Sequence, residues 1–165
     1  MTLAFVAIGA NLNDPQDQVR RAIAALGALP GTTLLGSSSL YGSKPMGPQD
    51  QPDYINAVAQ LATTLAPLTL LDELQRIERE QGRVRKDERW GPRTLDLDLL
   101  LFGDQIIESP RLTVPHYGMK QREFVLLPLY EIVPDLRLPC GSALRELALQ
   151  CPPNGLQIIA PAPSV

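Results

Sequence analysis

Apolar residues recur at every second position in some stretches of this chain and at every third or fourth in others, and the two periods lay out its elements. Residues 2–9, TLAFVAIG, form a nearly continuous apolar run that predicts a buried strand, followed by a turn at Gly9 and Asn11. Asp14 before Pro15 reads as an N-cap and first turn, and Val19, Ala22, Ile23 and Leu26 give a helical stripe that ends near Gly27 and Pro30. A second strand is predicted over 32–41. In a third, 54–65, Tyr54, Asn56 and Val58 share one face and Ile55, Ala57 and Ala59 the other. Pro67 opens a second helix with core positions at Leu70 or Leu71, Leu74 and Ile77, and Gly82 caps its end.

The stretch Gly91–Gly103, GPRTLDLDLLLFG, then places two acids inside an apolar strand. Strict alternation puts Leu95, Leu97, Leu99 and Leu101 on one face and Asp96, Asp98, Leu100 and Phe102 on the other. A run this apolar predicts a central strand. The Cα atoms of its two acids stand about 6.6 Å apart and their carboxylates point the same way, close enough to converge on one cation or a pair of cations. Desolvating such a pair costs several kcal/mol per ion unless a cation replaces the water. Either the arginines of Gly82–Arg93, GRVRKDERWGPR, or a hard divalent metal could supply that charge. Both together would make a polyphosphate site, whereas arginine alone would make a salt-bridged strand end.

The order strand, helix, strand, strand, helix, strand predicts an α+β ferredoxin-like βαββαβ sandwich. Beyond it, 104–117 reads as loop with a short hairpin, 120–131 and 142–150 as helices, and 156–159 as an edge strand. The segment 42–53, GSKPMGPQDQPD, with three prolines and two glycines, predicts an exposed loop. No linker divides the 165 residues, so 1–165 is expected to be a single domain.

A net charge of −3 makes the basic loop a local feature on a mildly acidic body, which argues against general nucleic-acid binding. No apolar run approaches the ~20 residues of a membrane span, and no signal-peptide pattern opens the chain. The expectation is a cytoplasmic protein, with Cys140 and Cys151 as reduced structural thiols. Neither GxxxxGK[ST] nor GxGxxG occurs, so any phosphates must be held by side chains and metal.

GPQDQPDYINA, QGRVRKDERWGPRTLDLDLLLFG and RLTVPHYGMKQREF occur in that order, and together they resemble the 6-hydroxymethyl-7,8-dihydropterin pyrophosphokinase family over roughly Met1 to Pro134. The resemblance implies the same fold and transfer of the pyrophosphoryl group of ATP to a reduced pterin, for folate synthesis. It implies that Asp96 and Asp98 hold two magnesium ions along the triphosphate and that Arg83 and Arg93 reach the transferring phosphates. It assigns Gln75, Glu78, Arg85, Arg89, Leu99, Arg111, Thr113, His116, Tyr117 and Arg122 to the nucleotide. Trp90 and Phe124 would sandwich the pterin ring, with Tyr54 nearby, Asn56 on its edge, and Ser43, Lys44 and Met46 along the wall. Lys44 departs from the family pattern, which has proline there.

Taken singly, these residues leave alternatives open. Trp90 would either stack on a flat ligand or anchor its loop, and Asn56 could be an ordinary satisfied amide. His116 could donate to a phosphate or be structural. Two other functions compete: an RNA-binding module, although no RNP1 pattern is present, and a different magnesium-nucleotide transferase or hydrolase using the same acid pair.

Overall fold

The computed structural model describes residues 1–11, 14–43, 54–82 and 95–163. In chain order these form β1 (Thr2–Ala10), α1 (Pro15–Gly27), β2 (Thr32–Ser37), β3 (Leu40–Ser43), β4 (Tyr54–Thr63), α2 (Pro67–Ile77), β5 (Asp96–Phe102), β6 (Ile107–Glu108), β7 (Thr113–Val114), α3 (Glu123–Ile132), α4 (Leu144–Gln150) and β8 (Gln157–Ala160). A π-helical turn, Glu78–Gly82, continues α2, and a 3-10 turn, Met119–Gln121, precedes α3.

The main sheet runs β5-β1-β4-β3-β8, with β2 also on β4, and its pairings are antiparallel. The elements from β1 through β5, with α1 and α2, form the expected ferredoxin-like sandwich. The predicted second strand is broken into β2 and β3, because Ser38 inserts there. Its amide donates to the Val58 carbonyl at 2.8 Å, and its Oγ accepts from the Val58 amide at 2.9 Å. The two strands thus share one partner across an irregularity.

Both faces of the sheet are covered. On one, Val19, Ala22, Ile23 and Leu26 of α1 and Leu70, Leu71, Leu74 and Ile77 of α2 pack on Val6, Ile8, Ala57, Leu61, Leu97 and Leu99. On the other, Val125, Leu126 and Leu129 of α3 and Leu144 of α4 pack on Phe5, Val58, Leu100 and Leu101. Fully burying one such leucine contributes about 1.5–3 kcal/mol. The C-terminal third therefore builds the second layer, and the acid strand is apolar on both sides for that reason.

Three local expectations need correction, and a fourth, the N-cap at Asp14, holds without a side-chain bond. β5 is an edge strand, not a central one. Its outer backbone groups are met by other partners: Leu97 N–H donates to Glu78 Oε2 at 2.8 Å, and Leu100 C=O accepts from His116 N–H at 3.0 Å. The β1–β5 register shifts between Phe5 and Val6, so Leu101 joins the α3 side and Phe102 the α1/α2 side. The period-2 reading had these two reversed, since one extra residue flips everything after it. Gly9 and Ala10 stay in β1 rather than turning. Asp14 holds the N-cap place in a left-handed conformation, φ 59°, with no side-chain cap, and its carbonyl accepts from Gln18 N–H at 3.0 Å.

Gly103 ends β5 at φ 57°, a conformation that glycine adopts without strain, and its amide donates to the Leu3 carbonyl. The two cysteines are free, Cys140 exposed and Cys151 partly buried.

Candidate active site

β1 lies between the two strands that carry the candidate residues, and its register brings them onto one face. Gly9 pairs with Asn56 of β4 on one side and with Asp96 of β5 on the other. One rung further in, Ala7 pairs with Val58 and with Asp98. Directly opposed residues of an antiparallel pair project to the same side of the sheet. Tyr41 of β3 extends the first row by pairing with Asn56. Tyr41, Asn56, Gly9 and Asp96 thus form one row, and Val58, Ala7 and Asp98 the next, on the face that α3 covers further along. Asp96 is half-buried, Asp98 is exposed and Asn56 is buried.

Gly9 is the low point of this row. A Cβ placed on it would lie 3.2 Å from Asn56 Oδ1, so the missing side chain leaves the space that the Asn56 carboxamide takes over β1. Tyr41 is held from behind. Its hydroxyl donates to Glu131 Oε1 at 2.7 Å, and Ser39 donates to the same carboxylate from its amide and, at 2.8 Å, from its hydroxyl. Burial, then the hydrogen bond to Glu131 and that residue's charge, push the Tyr41 phenol up, so it stays a neutral donor. Ser39, Tyr41 and Glu131 therefore clamp α3 to β3.

The segment after β7 closes the other side. His116 N–H is fixed to β5, and its Nδ1 accepts from Gly118 N–H at 3.2 Å. That bond requires the neutral imidazole with its proton on Nε2. Burial pulls the His116 pKa below its ordinary value; Asp98 pulls it back up and Arg122 pushes it further down. His116 stacks on Tyr117 with ring centroids 4.7 Å apart. The Arg122 guanidinium lies 5.7 Å from the Tyr117 ring centroid and 5.8 Å from that of Phe124, joining the two aromatic positions. Gly118 makes room for it, since a Cβ there would lie 2.8 Å from Arg122 Cζ.

Other site positions gather at the end of α2. Arg111 donates to Asp72 Oδ1 at 2.6 Å and to Gln75 Oε1 at 3.2 Å. This ion pair is exposed and worth at most about 1 kcal/mol, so little holds Arg111 back from a stronger anion. Thr113 is exposed on β7, and Leu99 is a core residue of β5 rather than a surface contact. Tyr54 pairs with Ser43 at the open end of β3–β4. Lys44, Met46, Arg83, Arg85, Arg89, Trp90 and Arg93 lie outside the described residues.

Among the described residues, no group of three or more His, Cys, Asp or Glu side chains is placed to hold a metal ion. Asp96 and Asp98 offer a pair of carboxylates on one face, which suits a hard cation that keeps water and takes its remaining ligands from phosphate. The sequence reading missed Gly9, Gly118, Asp72 and the Tyr41–Glu131 clamp, because their roles follow from cross-strand neighbours rather than from local pattern.

A ferredoxin-like sheet with an acid pair at one rim, beside His116, Arg122 and the rings of Tyr117 and Phe124, is an arrangement suited to a transferase of nucleotide phosphate groups. Residues 5–134 match the family model of 7,8-dihydro-6-hydroxymethylpterin-pyrophosphokinase, and the chain belongs to that family. It is similar to the 2-amino-4-hydroxy-6-hydroxymethyldihydropteridine pyrophosphokinase of Haemophilus influenzae, 58% identical over 150 residues, covering 91% of this chain and 93% of that protein. The enzyme of the same name from Pseudomonas aeruginosa is 58% identical over 153 residues, covering 93% of this chain and 94% of that one. Among solved structures, wild-type Plasmodium falciparum HPPK-DHPS superposes with a TM-score of 0.69 at 14% identity, a likeness of fold. The match covers 90% of this chain and 41% of that longer one.

Proposed function

We propose that this chain transfers the pyrophosphoryl group of ATP to the hydroxymethyl oxygen of 6-hydroxymethyl-7,8-dihydropterin, giving AMP and the pterin diphosphate used in folate biosynthesis. The hydroxyl oxygen attacks the β-phosphorus in line, the bond from that phosphorus to the α,β-bridging oxygen breaks, and AMP departs with that oxygen. The hydroxyl proton passes to solvent. The observation that carries this reading is that Asp96 and Asp98 share one sheet face with Asn56, one rung apart, beside a histidine held neutral.

Asp96 and Asp98 are the residues that would hold magnesium. A divalent cation bound there supplies neutralisation of charge on the phosphate oxygens. His116 donates from Nε2–H to a phosphate oxygen, and Arg111 and Arg122 fork onto the nucleotide, with Gln75, Glu78, Thr113 and Tyr117 around them. Phe124 offers its ring to the pterin, Asn56 hydrogen-bonds the ring edge and Tyr54 stands beside it. Arg83 and Arg93 take the transferring phosphates, and Trp90, Ser43, Lys44 and Met46 complete the pterin wall, with Arg85 and Arg89 on the nucleotide; the sequence pattern alone supports these assignments. No side chain among the described residues is a strong base near neutral pH at this face, so the rate rests on alignment and charge neutralisation.

The reading extends to a magnesium-dependent, monomeric enzyme that works as one domain in the cytoplasm. Among the described residues, no helix is long and apolar enough to cross a membrane. The test is to quantify AMP against ADP release from ATP with and without reduced pterin. Pterin-dependent AMP in equal amount to pterin diphosphate is expected. ADP as product, or release that ignores pterin, would overturn the reading.

A further inference from the structure

Asn11 follows directly on β1, after the rungs Gly9 to Asn56 and Ala10 to Ile55. Alternate residues of β1 serve opposite faces: Ala4, Val6, Ile8 and Ala10 lie in the core beneath α1 and α2, while Phe5 and Ala7 pack on the α3 side. Asn11 is the next position in the second series, about 6.6 Å beyond Gly9 along the strand. Its side chain is fully buried, and among the described residues neither Oδ1 nor Nδ2 has a hydrogen-bond partner.

A carboxamide carries two donors and a two-pair acceptor, and buried groups of this kind are satisfied in the large majority of cases. The exceptions that persist gather at functional sites, where the unmet group has a use. Ser37 Oγ also lacks a partner, but Ser37 pairs with Ala59, whose side chain belongs to the core beneath α1 and α2, away from the site face. Asn11 is the unpaired side chain that follows Gly9 in the alternation of β1, one position beyond the row of Gly9 and Asn56 on that face.

The aminopyrimidinone edge of a pterin alternates donors and acceptors, which is the pattern a carboxamide complements. We propose that Asn11 is a specificity-determining residue for the reduced pterin, its buried carboxamide becoming hydrogen-bonded when the ring lies along the Asn56–Gly9 row. This rests on the pterin-transfer reading above. A residue kept for stability would be paired in the free protein. One kept for the ligand makes the free protein less stable than an apolar replacement would, and repays that on binding.

The experiment compares Asn11→Leu and Asn11→Ala with wild type in the full chain, by thermal melting and steady-state kinetics. Melting is followed alone and with 6-hydroxymethyl-7,8-dihydropterin plus a non-transferable ATP analogue. Expected are at least one variant melting at or above wild type without ligand, by up to about 5 °C, and a KM for pterin raised about tenfold or more in that variant. Its KM for ATP stays within about twofold, and its ligand-induced rise in melting temperature shrinks. Lower melting of both free variants would make the carboxamide structural and overturn the inference. An unchanged pterin KM and an unchanged ligand-induced rise would do so too. Wild-type transfer to pterin keeps the underlying reading intact in those cases, whereas its absence would overturn both.

Discussion

The Glu78 carboxylate accepts a hydrogen bond at 2.8 Å from the amide of Leu97, the residue of β5 that lies between the two acids. Through this bond, the turn that ends α2 fixes the edge strand at the point where Asp96 and Asp98 diverge from it. A carboxylate is a strong acceptor, and Leu97 itself is buried, so the bond replaces the strand partner that β5 lacks on its outer side. Glu78 thus has a structural task beside the nucleotide role that the sequence pattern implies.

Replacing Glu78 by Ala is expected to leave the Leu97 N–H without its acceptor and to cost about 1–2 kcal/mol, or roughly 2–8 °C in melting temperature. Glu78→Gln keeps an acceptor oxygen and should lose less than half of that. Urea unfolding of the three proteins checks the order. Equal stability of Glu78→Ala and wild type would remove the structural task.

Gly9→Ala brings a methyl to 3.2 Å from Asn56 Oδ1, closer than most Cβ contacts, so the carboxamide must shift by a few tenths of an ångström. With Asn56 in its proposed place on the pterin edge, this displacement should raise the KM for pterin about three- to thirtyfold while leaving the KM for ATP near wild type. Steady-state kinetics with each substrate varied in turn measures the split. Parallel changes in both KM values would mean that the strand, not Asn56, has moved.

Much of this arrangement was legible in the chain. The 3.6 and 2.0 periods located β1, α1, β4, α2 and β5, and the sharing of one face by Asp96 and Asp98 follows from their spacing alone. The edge position of β5 was not legible, because apolarity on both strand faces reports two covering layers and says nothing about strand neighbours. The switch of Leu101 and Phe102 between faces depends on a register shift opposite Phe5 and Val6 that no local pattern encodes. Gly9 looked like a turn glycine, since its actual role is set by Asn56, 47 positions away in sequence but adjacent across the sheet.

Cys140 offers a test apart from the site. A hydrogen bond from Lys120 Nζ at 3.0 Å, then those from Ser142, lower its thiol from the usual range to about 7. Burial, and then the charge of Glu123, raise Cys151. The thiolate is the nucleophile, so alkylation of Cys140 by iodoacetamide should be slow below pH 7 and reach its plateau above it. Cys151 should react only at higher pH. Lys120→Ala should move the Cys140 midpoint up by about one unit. Mass-spectrometric rates across pH 5 to 10 decide this, and a Cys140 midpoint near 9 in the wild type would contradict the Lys120 contact.

The most direct measurement is magnesium-dependent AMP formation by Asp98→Asn, with pterin and ATP saturating. Asp98 is exposed, so the substitution removes a charge and not a packing contact, and the melting temperature should stay within about 3 °C of wild type. Loss of one of the two carboxylates proposed to hold the metal is expected to lower the rate at least about a hundredfold. A folded Asp98→Asn protein that still makes AMP and pterin diphosphate at the wild-type rate would contradict the account.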